Sequence, residues 1–200
     1  MLEYADGILI AAENPSSSLS KIGEIYDRMA FAGVGKFSEF DQLRKTGVRY
    51  ADVRGYAYSR DDVRAKALAN AYSQMIGEVF TREMKPLEVE IIVAEVGDDR
   101  DPEHAGNSLY RVSFDGTIQD HKNFCAIGGT VDAIQQFLES RYKTELPLGE
   151  SLSLAREALG QANGDSQIPA QNLEVAVLEK TRPGRKFRQL SADEIRGILG

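Results

Sequence analysis

The sequence predicts an α+β fold in which antiparallel sheets are covered by helices on their outer faces. Short apolar runs come in hairpin-like blocks, and pairs of helical patterns separate these blocks. The predicted order is therefore ββββααβββααββα, which differs from the strict strand and helix alternation of a parallel sheet. A length of 200 residues, 42% hydrophobic and 28% charged, suits one globular domain.

Four short strands are predicted before the first helix. Residues 8–13 form an apolar run, and the preceding Asp6-Gly7 is a hairpin signal whose first arm has only residues 1–4. Residues 14–18, Asn-Pro-Ser-Ser-Ser, predict a turn. Residues 22–27 and 29–35 follow as strands, and the small residues of the second would let another group pack closely.

Two amphipathic helices are predicted next. Apolar residues recur at helical spacing from Phe37 to Asp52, and we expect the helix to end near Gly47 or Ala51. Asp61 or Asp62 is expected to cap a second helix of about 22 residues. Pro86 closes that segment.

The second half of the chain alternates between hairpins and helices in the same way. Predicted strands cover residues 87–94, 109–114, 118–127, 173–178 and 186–190, and residues 97–107 form a polar loop. Helices are predicted from Gly128-Gly129-Thr130 to about Tyr142, from Ser151 to about Ala162, and from Ala192 to Leu199. Ser191 and Glu194 form a capping box at the start of the last helix.

Composition excludes several classes of function. The 31 acidic and 24 basic residues give a net charge of −7, which argues against nucleic acid as the main partner. The apolar run of residues 7–12 is far shorter than a membrane helix, and residues 1–4 lack the positive start of a signal peptide. Cys125, the one cysteine, cannot form an internal disulfide and favours a reducing compartment. We expect a cytoplasmic protein that binds neither membranes nor nucleic acid.

The residues that usually carry catalysis or metal binding are not arranged for it here. His104 and His121 lie in polar surroundings without a partner at metal-ligand spacing, and we expect them to be solvated loop residues. Cys125 lies in the apolar run 124–127, where a buried core thiol is expected. Residues 33–36 and 128–130 do not match a phosphate-loop motif, and a packing strand and a strand-to-helix turn are the better interpretations. No cofactor or metal site is expected.

Two charged clusters are interpreted as solvated surface. Asp98, Asp99, Asp101 and Glu103 lack the frame of a calcium loop. A basic group follows the last long strand, where contact with an acidic partner is one interpretation and a charged hairpin tip is the other. The hairpin tip is favoured over nucleic-acid binding because the whole chain is acidic. The basic group consists of Lys180, Arg182, Arg185, Lys186 and Arg188.

Several collinear strings together resemble a known family. Gly35-Lys36-Phe37-Ser38-Glu39-Phe40-Asp41 and Asp52-Val53-Arg54-Gly55-Tyr56-Ala57-Tyr58 are two of them. The others are residues 12–16, 19–28, 68–72, 89–95, 109–116 and 173–178. Taken together they resemble the α subunits of actinobacterial 20S proteasomes, and the resemblance extends from about Ile8 to Leu190.

The resemblance implies the four-layer αββα sandwich of the N-terminal nucleophile hydrolases. It also implies a heptameric α ring without peptidase activity, in which six further α subunits are partners. Each ring stacks on proteasome β rings, gates the entry of unfolded protein substrates and docks an AAA+ ATPase ring for proteasomal degradation. No catalytic residue is expected, because a threonine nucleophile must be residue 1 and the first threonine here is Thr46, inside a predicted helix. The alternative is a catalytic β-type subunit of the same fold.

The resemblance also implies a binding site for the C-terminal tail of the ATPase. The lysine that meets the tail carboxylate corresponds to Lys21, placed by the string of residues 14–21. Ala32, Gly33 and Val34 are expected to line the same pocket. Residues 1–200 then form a single α-type domain that lacks the family's N-terminal gating tail, first helix and most of the first strand.

Overall fold

A computed structural model describes residues 1–16, 18–98, 101–162, 164 and 167–200. Two antiparallel sheets lie face to face, and helices cover the outer face of each sheet. The four layers are therefore helix, sheet, sheet and helix. This arrangement confirms the predicted αββα sandwich.

One sheet has four strands and the other has five. The four-stranded sheet has the order β1 (Leu2–Tyr4), β2 (Gly7–Glu13), β8 (Leu173–Glu179) and β9 (Phe187–Gln189). The five-stranded sheet has the order β3 (Ile22–Tyr26), β4 (Met29–Gly35), β5 (Val89–Glu95), β6 (Ser108–Val112) and β7 (Ile118–His121). Every neighbouring pair of these strands is antiparallel, as the hairpin signals predict.

The helices divide between the two outer faces. The helices α1 (Phe37–Ala57) and α2 (Ala65–Arg82) pack on the five-stranded sheet. The helices α3 (Val131–Arg141), α4 (Leu148–Gln161) and α5 (Ala192–Leu199) pack on the four-stranded sheet. The predicted capping box is present at Ser191 and Glu194.

The apolar core has three parts, one between each pair of adjacent layers. The strand β8 shows why its sequence is almost continuously apolar. Val175 and Val177 face α3, α4 and α5, while Ala176 and Leu178 face the other sheet. A strand that is buried on both faces has no solvent-exposed positions at which polar residues would be favoured.

Several predicted boundaries were wrong. The helix α1 continues past Gly47 and Ala51 to Ala57. The helix α2 begins at Ala65, and its N-cap residue, Arg64, makes no side-chain capping hydrogen bond. Asp61 and Asp62 belong instead to a separate 3-10 turn, in which Ser59 is the N-cap residue. The strand β7 ends at His121, well before the predicted end at residue 127.

Candidate functional site

Lys21 lies immediately before β3, where the chain enters the five-stranded sheet. Its backbone carbonyl accepts a hydrogen bond from the Gly33 amide at 3.0 Å, so that the residue is attached to β4. Its ammonium Nζ donates to the backbone oxygen of Glu13 at 2.7 Å. The ammonium group is therefore held at the end of β2 and keeps further hydrogens for another acceptor.

A buried carboxylate fixes the loop that carries Lys21. Glu174 Oε2 accepts from the Lys21 amide at 2.9 Å and from Asn14 Nδ2 at 2.6 Å, and Glu174 Oε1 accepts from the Ile22 amide at 3.0 Å. Glu174 is only 8% exposed. Sequence reasoning missed this role, although an acidic residue inside an apolar strand was a signal that could have revealed it.

The four residues expected to form one pocket do lie on one cavity. Lys21, Ala32, Gly33 and Val34 line a cavity of about 350 Å³. The cavity extends along β2 and reaches α3 and α4. Its other lining residues are Met1, Leu2, Leu9–Glu13, Ile92, Cys125–Thr130, Ile134, Leu138, Ala155, Ala158, Leu159 and Ala162.

The three small residues of β4 contribute to the cavity in different ways. Ala32 belongs to the core between the two sheets, on the side of the cavity. A Cβ added to Gly33 would lie 2.8 Å from Phe40 Cγ, so its missing side chain makes room for α1 rather than for a ligand. Gly33 therefore lines the cavity with its backbone, and the prediction of close packing in this strand is confirmed.

Glu13 and Lys21 are the charged side chains in a lining that is otherwise mainly apolar. A cation at the rim of an apolar cavity suits a ligand with a carboxylate at one end and an apolar part beside it. Gly128, Gly129 and Thr130 also reach the cavity. The sequence predicted only a strand-to-helix turn there, and Thr130 is indeed the N-cap residue of α3.

The other candidate residues lie away from Lys21 or inside the core. His104 is on the surface, where its Nδ1 lies 2.7 Å from Asp101 Oδ2. The prediction that His121 is a solvated loop residue was wrong. His121 lies in β7, and its Nε2 is buried without a hydrogen-bond partner among the described residues. Cys125 is 1% exposed, and burial raises the pKa of its thiol to about 11, which confirms a core cysteine.

The acidic cluster is more than a solvated surface. Asp98 pairs with Arg28 at 2.5 Å, and Asp101 pairs with Arg64 at 3.0 Å. Glu95 contacts the same two arginines, at 3.2 and 3.1 Å. The prediction of a solvated face was therefore wrong for Asp98, whereas Asp101 is ion-paired but remains on the surface, as Glu103 does. Asp99 lies outside the described residues.

Several residues of the basic group form ion pairs or hydrogen bonds within the protein. Arg185 pairs with Glu24, and Arg188 bridges Glu179 and Glu194. The ammonium of Lys186 donates to two backbone carbonyls of its own hairpin. These contacts agree with a charged hairpin tip.

None of the helices within the described residues is long and apolar enough to cross a membrane.

The fold and the match to known proteins define the family. A family model for the proteasome subunit matches residues 2–178. The chain therefore belongs to the proteasome subunit family. Within it, the chain is 49% identical to the proteasome subunit alpha of Streptosporangium roseum, in an alignment that covers 100% of the chain and 75% of that relative.

Two further relatives carry the same name. The proteasome subunit alpha of Kineococcus radiotolerans is 50% identical over 100% of the chain and 85% of the relative. That of Acidimicrobium ferrooxidans is 50% identical over 98% of the chain and 82% of the relative. The resemblance to α subunits is thus confirmed across the chain.

Proposed function

We propose that this chain is a non-catalytic α subunit of a bacterial 20S proteasome core particle. Seven copies would form an outer ring that stacks on β rings, gates substrate entry and docks a regulatory ATPase in the cytoplasm. The observation that carries the proposal is the near full-length similarity to proteins named proteasome subunit alpha. The position of Lys21 on the rim of an apolar cavity supports the docking role.

The residues that could supply a nucleophile support the non-catalytic assignment. A terminal-threonine nucleophile uses its own α-amine as the base, so the threonine must be the first residue. Thr46 lies inside α1, where its hydroxyl donates to the Gln42 carbonyl at 2.9 Å. The buried thiol of Cys125, whose pKa is raised to about 11, is a poor nucleophile near neutral pH.

Assembly with a cognate β subunit tests the proposal. We expect the chain alone to hydrolyse no peptide, and a mixture of the two subunits to form four-ring barrels visible by electron microscopy. The barrels are expected because a subunit of a closed ring buries the large surfaces between subunits only when its neighbours are present. Peptide hydrolysis by the chain alone would favour a β-type subunit instead. A chain that stays monomeric in the presence of the β subunit would contradict ring formation.

Replacing Lys21 tests the docking role. We expect Lys21→Ala to lower the affinity for a synthetic ATPase C-terminal peptide at least about tenfold, because a charge-assisted hydrogen bond to the terminal carboxylate is lost. Fluorescence anisotropy with a labelled peptide measures the change. Barrel formation with the β subunit should remain intact.

The matched control is Lys143→Ala, which removes the same charge from an exposed position after α3. This variant should bind the peptide as the parent protein does. Equal peptide affinity in the Lys21→Ala protein and the control would discard the assignment of Lys21.

A further inference from the structure

A second cavity, of about 590 Å³, lies at the end of β8 that is opposite to Glu174. It forms where the turn between β3 and β4 and the turn between β8 and β9 meet the end of β5 and the 3-10 turn before α2. We name it the end cavity. The described residues that line it are residues 26–29, Arg60, Asp61, Val63, Gly97, Asp98, residues 180–184 and Lys186.

Backbone hydrogen bonds hold the walls of the end cavity together. The Lys186 amide donates to the Asp27 carbonyl at 2.7 Å, which joins the β8–β9 turn to the β3–β4 turn. The Val96 amide donates to the Arg28 carbonyl at 3.0 Å, which joins the end of β5 to the same turn. The end cavity thus lies between fixed backbone segments of both sheets, as is usual for preformed ligand sites.

The end cavity is positively charged, although the whole chain has a net charge of −7. Five basic side chains of the described lining face three acidic ones, which is a surplus of two positive charges. The basic residues are Arg28, Arg60, Lys180, Arg182 and Lys186, and the acidic ones are Asp27, Asp61 and Asp98. Such a local excess of positive charge attracts anions.

Two of the arginines are already paired with carboxylates. Arg60 binds both carboxylate oxygens of Asp27, at 2.8 and 2.5 Å. Arg28 pairs with Asp98 at 2.5 Å and with Glu95 at 3.2 Å. These contacts neutralise both arginines, so the surplus of positive charge lies on the β8–β9 turn.

Arg182 and Lys186 of that turn are half-buried and contact backbone carbonyls. Arg182 Nη1 donates to the Phe187 carbonyl at 2.7 Å. Lys186 Nζ donates to the Lys180 carbonyl at 2.7 Å and to the Arg182 carbonyl. Neither side chain forms an ion pair with a described residue. Carbonyl oxygens position these cations without neutralising them, and Nε and Nη2 of Arg182 and one hydrogen of Lys186 remain for an anion.

We propose that the end cavity binds the phosphate group of a phosphate monoester between Arg182 and Lys186. A guanidinium can donate two parallel hydrogen bonds to phosphate oxygens, and an ammonium adds a third, charge-assisted one. A phosphate monoester carries close to two negative charges near neutral pH, which matches the surplus of the lining. The volume lies within the range of small-molecule sites, about 300–1,000 Å³, so the phosphate can be carried on a larger molecule.

This site is independent of the proposed docking of an ATPase tail. Lys21 and Glu174 lie at one end of the sandwich, whereas the end cavity lies at the other end of β8. The two sites share no lining residue. The phosphate site can therefore fail while the proposed function stands, and the reverse also holds.

Isothermal titration calorimetry with the full chain tests the site with two probes, phenyl phosphate and the peptide acetyl-Ala-phosphoserine-Ala-amide. We expect both to bind, because each carries a phosphate monoester, and the unphosphorylated peptide should not bind. Tighter binding of the phosphopeptide would identify a phosphorylated polypeptide as the source of the phosphate. Tighter binding of phenyl phosphate would identify a small organic phosphate, and either order supports the site.

Replacing the two cations tests their role. Arg182→Gln and Lys186→Gln should each lower the affinity for phenyl phosphate about tenfold or more, because a charge-assisted hydrogen bond is lost. The matched controls are Arg49→Gln and Lys143→Gln, which remove the same charges from exposed positions in α1 and after α3. Both controls should bind as the parent protein does.

A further variant keeps Arg182, Lys186 and their contacts. Thr181 is exposed and lines the end cavity, so Thr181→Glu adds a carboxylate that competes with the phosphate for the same cations. We expect the affinity to fall about tenfold or more. Thr144→Glu adds the same charge at an exposed position after α3 and should leave binding unchanged. Thermal denaturation checks that every variant folds.

Equal affinities in Thr181→Glu and Thr144→Glu would overturn the phosphate site, even where the Arg182 or Lys186 variant is unfolded. Equal affinities in a folded Arg182→Gln protein and Arg49→Gln would do the same, as would the absence of binding by both probes at about 1 mM. Lys21→Ala separates this inference from the proposed function. It should weaken binding of the ATPase peptide and leave the affinity for phenyl phosphate unchanged.

Discussion

The position of Lys21 depends on one buried side chain, the carboxylate of Glu174. Three donors converge on it, from Asn14, Lys21 and Ile22. Asn14 and Lys21 lie between β2 and β3, and Ile22 is the first residue of β3, whereas Glu174 belongs to β8 of the other sheet. The carboxylate thus joins the two sheets beside the cavity rim, and hydrogen bonds to a charged acceptor are among the stronger ones in proteins.

Removing this charge should loosen the rim. We expect Glu174→Gln to lower the free energy of unfolding by about 2 kcal/mol, because the amide keeps one acceptor oxygen and turns its NH₂ group toward an N–H donor. Urea denaturation measures the change. The affinity for the ATPase peptide should also fall, because Lys21 is no longer held in place.

The matched control is Glu179→Gln, at the other end of β8. Glu179 is paired with Arg188 at 3.1 Å at a partly exposed site, and its loss should cost less than about 1 kcal/mol. An equal loss of stability in the two variants would contradict the claim that Glu174 stabilises the protein more than a partly exposed ion pair does.

At the scale of elements, the hairpins could be predicted and the ends of the helices could not. Apolar alternation and turn residues are local signals, and they located β3, β4, β5 and β8 well. Gly47 is the contrasting case. It was interpreted as a helix end, yet a Cβ there would lie 1.9 Å from the Tyr72 hydroxyl, so the glycine permits α1 and α2 to pack closely.

The capping of α2 shows the same limit. Asp61 and Asp62 are good capping residues by type, but the structure uses them in a 3-10 turn and starts the helix at Ala65. Glu95 of β5 accepts a hydrogen bond from the Ala65 amide at 2.7 Å and takes the role of the cap. A cap supplied by a residue 30 positions away has no local sequence signal.

At the scale of the whole molecule, the site could be predicted only in part. Similarity to a family placed Lys21, Ala32, Gly33 and Val34 together, and the structure brings all four to one cavity. The surroundings of β1 could not be predicted, because they depend on the register of β1 against β2 and on a third backbone segment, residues 123–125. Such an arrangement arises from contacts between segments more than 100 residues apart, and no pattern within a short window encodes it.

The pH dependence of stability is a property of the whole molecule, and His121 should set its first step. Burial lowers the pKa of His121 below its ordinary value of 6.5, and the positive charges of Arg111 and the Met1 ammonium act in the same direction, against Asp120. The unfolded chain therefore takes up this proton at higher pH than the folded protein. The contribution of His121 to the free energy of unfolding should be constant above about pH 7 and should decrease as the pH drops below about 6.5.

A second decrease should follow at lower pH. Hydrogen bonds from His104, from the Thr117 amide and from the Ser191 amide lower the pKa values of Asp101, Asp115 and Glu194. The stabilisation from such carboxylates is present above their unfolded pKa values, ordinarily 3.8 for aspartate and 4.5 for glutamate, and is lost as the pH falls through the lower folded values.

Urea denaturation at intervals from pH 8 to pH 3 measures both steps. In His121→Gln the decrease between pH 6.5 and pH 5 should disappear, because the proton-binding group is gone, while the decrease below about pH 4.5 should remain. His104→Gln is the control on the surface and should keep the first step. A first step that persists in His121→Gln would mean that another group takes up the proton, and a parent protein of constant stability down to pH 5 would show that His121 is protonated equally well in the folded state.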